Sequence, residues 1–142
     1  MGDEFNAGKF GAIFPIAFFV ADITASQTNV DLALGGGNTL AVMPKGGSIV
    51  GISVRATAAV TAGTMSVRAH KDSTEFAQSG YPNPSLSSAA GLSQESHASI
   101  RPGALVFSAD EGVGVSYTSD ATMAPTNTND LDALLFVQLD PN

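Results

Sequence analysis

The chain has 142 residues, with 13 acidic against 6 basic side chains for a formal net charge of −7, and it contains no Cys and no Trp. That length makes one domain; without cysteine there are no disulfides, thiolate metal sites or cysteine nucleophiles, and the acidic balance argues against nucleic acid, whose phosphates are met by clustered Lys and Arg. Only 13% of the residues are charged while 44% are hydrophobic, against about a quarter charged in an ordinary soluble domain, so part of the surface is expected to be covered by another protein.

Residues 1–12, "MGDEFNAGKFGA", carry Gly2, Gly8 and Gly11 and are expected to form a flexible arm ahead of a single domain over residues 13–142. Acids stand where a signal peptide needs positive charge, so export by that route is not expected. Asn6 breaks the myristoylation pattern. The apolar stretch "FGAIFPIAFFVADI" is interrupted by Pro15 and too short to span a bilayer as a helix, so no membrane partner is expected.

Within it, Phe14, Ile16, Phe18 and Val20 alternate with Ile13, Ala17 and Phe19, giving a strand that is apolar on both sides. Two readings stay open for residues 13–23: an ordinary buried strand, or a segment lying against another chain, even adding as a strand to it. Pro15 cannot donate to a ladder, which places the first part at an edge. "TNVDLAL" and "TLAVM" read as short strands around the glycine turn "GGGN". No Gly-Lys-Ser/Thr follows those glycines, so they do not form a phosphate cradle.

"SIVGISVRATAAVTAGTMSVRAHKD" holds the clearest alternation. Val50, Ile52, Val54, Ala56 and Ala58 share one face, with Ser53, Arg55 and Thr57 on the other. Past Ala62-Gly63, Met65, Val67 and Ala69 point inward and Ser66, Arg68 and His70 outward. The two runs read as one β-hairpin packed on a core. The polar stretch 71–98, with Pro82 and Pro84, reads as a long loop holding a short helix around Leu86 to Leu92. Leu105 and Phe107 then precede a turn at Asp110-Glu111-Gly112, Val113, Val115 and Tyr117 alternate inward, and "DLDALLFVQL" closes the chain with Leu131, Ala133, Leu135, Val137 and Leu139 on one face. Leu134 and Phe136 make its other face apolar as well. Seven or eight short strands in all suggest an all-β antiparallel sandwich or jelly roll.

Chemistry is sparse. His70 and His97 stand too far apart for a metal pair motif. No Gly-x-Ser-x-Gly elbow accompanies the Ser, His and Asp residues. Asp110 and Glu111 belong to a turn, while Asp130 and Asp132 share a strand face with, at most, weak cation binding. The pattern offers no catalytic residue, no cofactor and no metal site. Glycan sites stack sugars on exposed rings, for which Tyr81 is the one good candidate, because Tyr117 points into the core. A receptor- or glycan-binding module is therefore the alternative reading.

"SIVGISVRATAAVTAGTMSVRAHKD" resembles the central hairpin of β-sandwich modules on virion surface proteins of tailed bacteriophages, and "FSADEGVGVSYTSDATMAPTNTNDLDALLFVQL" resembles their closing strands. One detail departs: Asp110 and Glu111 precede Gly112 instead of following a glycine. Among free-standing proteins of this length the chain resembles head decoration (cement) proteins. That resemblance implies a homo-oligomer, in particular a trimer, on the exterior of the capsid, bridging major capsid protein subunits, with the host cytoplasm as the place of assembly. It carries no catalytic residues. The candidate partner interface, drawn from the strands that are apolar on both faces and the segment before them, is Phe10, Ile13, Phe14, Ile16, Phe18, Phe19, Leu134 and Phe136.

Overall fold

A computed structural model describes residues 12–72, 74–75, 83–87 and 95–141. They form eleven strands: β1 (Ile13–Val20), β2 (Val30–Asp31), β3 (Ala41–Val42), β4 (Gly47–Ala56), β5 (Thr64–Lys71), β6 (Thr74–Glu75), β7 (Ser85–Ser87), β8 (Glu95–Ser99), β9 (Leu105–Phe107), β10 (Gly112–Ser119) and β11 (Leu131–Leu139). One sheet has the order β1-β11-β4-β8, with β9 also on β4; the other has the order β2-β10-β5-β6, with β3 on β10 and β7 on β5. All pairings are antiparallel and the two sheets pack face to face, so the chain is an antiparallel β-sandwich, as its alternation and turn spacing suggest.

The inward rows fill the space between the sheets. Ile49, Ile52, Val54, Leu131, Leu135 and Val137 come from one side, and Leu32, Met65, Val67, Val113, Val115 and Tyr117 from the other. Each fully buried aliphatic or aromatic side chain of this kind contributes about 1.5–3 kcal/mol. The expected inward faces of β5, β10 and β11 are all found buried, Leu139 being half-buried at the rim.

The connectivity corrects the hairpin expected over residues 48–72. β4 and β5 lie in opposite sheets, β4 pairing with β11, β8 and β9, and β5 with β10, β6 and β7. Alternation specifies which face of a strand meets the core; it does not specify the neighbour on the same sheet. Two strands with apolar faces toward one core satisfy the pattern equally well from opposite sheets. The linker decides. Residues 57–63 are long enough to cross the roughly 10 Å between packed sheets, and their backbone bonds go elsewhere: Thr57 N–H to the Asp130 carbonyl (3.0 Å), Thr61 N–H to the Ala124 carbonyl (2.9 Å) and Ala124 N–H to the Ala62 carbonyl (3.0 Å). β9 and β10 likewise occupy different sheets across the Asp110-Glu111 turn.

Two further corrections are local. The strand alternation slips at a bulge opposite Phe136 and Val137, so Ile49 takes the core position expected of Val50, which is half-buried. An extra residue at a bulge shifts every side chain before it to the other face. Residues 85–87, expected to begin a helix, form strand β7 on β5, with Leu86 fully buried between two serines; the remainder of that expected helix lies outside the described residues, as do the arm residues 1–11.

Candidate interaction surface

The outer face of the five-stranded sheet can be read as transverse rows from the strand register. Phe19 lies beside Asp132, Asp132 beside Arg55, and Arg55 beside Glu95. Ala17, Leu134, Ser53 and His97 form the next row, Pro15, Phe136, Gly51 and Ser99 the third, and Ile13, Gln138, Ser48 and Val106 the last. Apart from Asp132 and Gln138, the β1–β11 half of this face is apolar, and the β4–β8 half is polar. Ile13 is 58% exposed, Val106 52%, Phe19 45% and Leu134 39%, so four of the five large exposed hydrophobics among the described residues stand on one face. Two shallow hollows indent it. One of about 370 Å³ is lined by Ala17, Ser53, Arg55, Asp132 and Leu134; another of about 260 Å³ lies over Gly51, between Ile13, His97 and Phe136.

The expected interface residues divide between the two faces of this sheet. Ile13, Phe19, Leu134 and Phe136 stand on the outer face, whereas Phe14, Ile16 and Phe18 point toward the core, where Phe18 is buried and the other two pack against the cluster from the rim. Phe10 lies outside the described residues. Val106 went unnoticed in the sequence, although Leu105 and Phe107 pointing inward require it to point out.

β1 is an edge strand, as Pro15 requires. Phe19 exchanges both backbone hydrogen bonds with Ala33 (2.8 Å each), so Phe19 turns its polar backbone groups away from β11. By alternation Ile13, Pro15 and Ala17 do the same, and the Ala12 carbonyl, accepting Leu139 N–H at 3.0 Å, faces the opposite way as it should. The edge is thus closed by Ala33 at one end and lacks a donor at Pro15 in its middle, an arrangement that discourages edge-to-edge pairing.

The polar side chains singled out in the sequence find partners within the fold. Ser53 Oγ and His97 Nδ1 are 2.7 Å apart on the open sheet face, and His97 sits on strand β8, not in the polar loop expected for it. That distance suits a nucleophile and its base, but the backbone around Ser53 is committed to β11 and β8, so its own amides are spent in the sheet and not offered to an oxyanion. His70, expected on a solvent face, is buried under residues 39–40 on the far side of the six-stranded sheet. Its Nδ1 is 2.8 Å from the Asp72 carbonyl, and its Nε2 lies 3.1 Å from Asp31 Oδ1, close but not aligned as a hydrogen bond. Gly114 permits this roof, because a Cβ there would come within 2.7 Å of both the Thr39 carbonyl and the His70 ring. Asp130 accepts the Asp22 N–H at 3.0 Å, and among the described residues no group of three or more acidic or histidine side chains could hold a metal. Tyr117 is buried, with its hydroxyl accepting the Thr24 N–H at 3.3 Å; Tyr81 lies outside the described residues.

No family model matches the chain, and no curated protein matches it. Among solved structures it is similar to a chain of the Helicobacter pylori bacteriophage KHP30 acidic stable capsid structure, at 12% identity over 92% of this chain and 91% of that one, with a TM-score of 0.52. It is also similar to a chain of the cyanophage Pam1 capsid asymmetric unit (16% identity, 94% and 89% covered, TM-score 0.48) and to Eiger TNF from S. frugiperda (10%, 90% and 94%, 0.35). At these identities the likeness concerns the fold.

Proposed function

We propose that this chain is a non-enzymatic virion structural protein that decorates and stabilises a phage capsid, binding the major capsid protein lattice from the outside as a homo-oligomer. The observation that carries the reading is the outer face of the five-stranded sheet, which leaves Ile13, Phe19, Leu134 and Val106 exposed on one surface. Monomers rarely leave contiguous apolar area of this kind bare, and such patches mark protein contacts. The strand order adds support. The chain changes sheet at every step from β1 through the β2–β3 pair, β4, the β5–β7 group, the β8–β9 pair and β10 to β11, the wrapping of a jelly roll, an architecture used by capsid proteins. The fold shared with a chain of the KHP30 capsid structure agrees with that setting. Major capsid protein and further copies of the chain are the partners; nucleic acid and membrane are not.

The test is particle composition. Virions purified by density gradient should contain the chain at a fixed ratio to the major capsid protein, and chain added to particles lacking it should bind and raise their resistance to heat or osmotic shock. Absence from purified virions, or particles equally robust without it, would overturn the proposal.

A further inference from the structure

We infer that the outer face of the five-stranded sheet, centred on its β1–β11 half, is where a second copy of this chain docks. This deepens the oligomeric part of the reading above and rests on it only for the biological setting.

Three observations converge on a second copy. The first is charge. With a net charge of −7, two copies repel over most of their surface. Acids flank both sheets, Asp31, Asp72, Asp110, Glu111 and Asp120 around the six-stranded one and Asp22, Asp130 and Asp140 at the ends of β1 and β11, whereas the outer face of the five-stranded sheet sets Arg55 in register between Asp132 and Glu95. A cation and an anion side by side on one surface can meet the same pair reversed on another copy, with Arg55 of each copy opposite Asp132 of the other.

The second is area. Four strands about 4.8 Å apart, with β11 nine residues long, span roughly 19 by 30 Å. Two such faces remove on the order of 1,000–1,200 Å² from water, the threshold for a specific interface. The exposed side chains at its corners and centre, Phe19, Ile13, Val106 and Leu134, are the apolar anchors. The third is the edge. With Pro15 lacking a donor and Phe19 already bonded to Ala33, copies are discouraged from extending the sheet beside β1, which leaves the face of the β1–β11 half for the contact.

The experiment is solution mass by light scattering on the isolated chain at about 100 µM, where micromolar contacts are saturated. Wild type should be a multiple of 14.4 kDa. Leu134→Arg and Phe19→Arg should each return it to 14.4 kDa while leaving the circular dichroism spectrum unchanged. Arg55→Asp or Asp132→Arg alone should weaken association roughly tenfold or more, and the double reversal should restore it. A wild-type monomer overturns the inference, as does an oligomer indifferent to both arginine variants. A folded monomer that still binds particles would defeat this inference alone, and an oligomer absent from virions would defeat the functional reading alone.

Discussion

Asn129 holds Ala58 the way a neighbouring strand would. Its side-chain oxygen accepts the Ala58 N–H at 2.8 Å and its side-chain nitrogen donates to the Ala58 carbonyl at 2.9 Å. The same oxygen accepts the Thr57 hydroxyl at 3.1 Å, and that hydroxyl in turn accepts Asp130 N–H at 2.9 Å. Asn129 is fully buried, so one carboxamide ties the β4–β5 crossing to the start of β11. Asn129→Ala strands both Ala58 groups and should cost about 2–4 kcal/mol. Urea denaturation measures it; a loss below roughly 1 kcal/mol would mean that water replaces the amide freely.

Leu134 and Leu135 are neighbours with opposite duties. Leu135 is fully buried between the sheets and Leu134 faces out. Leu135→Ala should lower the folding free energy by about 3 kcal/mol, whereas Leu134→Ala should change monomer stability by no more than about 0.5 kcal/mol while loosening association. Equal losses of stability in the two variants would contradict the assignment of faces.

Two glycines with positive φ differ in what surrounds them. Gly63 has φ +68° and a Cβ there would lie 2.5 Å from Met123 N and touch the Asp120 carboxylate, while Gly36 has φ +92° and open space around it. Gly36→Ala should cost the backbone term alone, roughly 1–2 kcal/mol. Gly63→Ala should cost that and a further 1–3 kcal/mol, roughly, from the clash. Thermal melts of the two variants rank them; the reverse order would refute the packing described for the 120–123 turn.

Acid should weaken the fold at two identifiable carboxylates. Glu111 is held below its usual 4.5 chiefly by the Ser108 N–H, donated at 2.6 Å, with partial desolvation opposing and Lys71 at 3.4 Å assisting. For Asp120, partial desolvation pulls upward, and hydrogen bonds from Thr64 and Thr122 overcome it to leave the group below its usual 3.8. A depressed carboxylate stabilises the native state above its unfolded value and loses that contribution as pH falls through the folded one. Glu111→Gln and Asp120→Asn should therefore be less stable than wild type at neutral pH, with the gap shrinking below about pH 4.5 and 3.8 respectively. A gap independent of pH would show that these carboxylates act by shape alone.

Most strands could be read from the sequence because period-two alternation is a local property. The inward residues of β11, from Leu131 to Val137, follow it without exception. What alternation cannot carry is partnership. β4 and β5 looked like a hairpin because nothing in Thr57 to Gly63 announces that Asn129 and Ala124, some seventy residues on, will take its hydrogen bonds. The bulge that promotes Ile49 over Val50 is hidden for a related reason: Ile49, Val50 and Ile52 are all apolar, and only the partner strand reveals the slip. His70 was misjudged because its cover comes from residues near Thr39, distant in sequence. At the candidate surface, the doubled apolarity of β1 and β11 was visible, but which residues of β1 face outward depended on the edge position and the register against Gln138 to Leu131.

Since the strand groups alternate between the two sheets, the long ladders join segments far apart in the chain, while short β6 and β7 pair locally with β5. β1 precedes β11, its ladder partner among the described residues, by more than a hundred residues. Until β11 arrives, Phe14, Ile16 and Phe18 have no sheet to belong to, and the molecule is at its stickiest while it is least complete. Maturation is therefore governed by β11. Shortened products ending before Leu131 are the ones a cell must hold with chaperones or destroy.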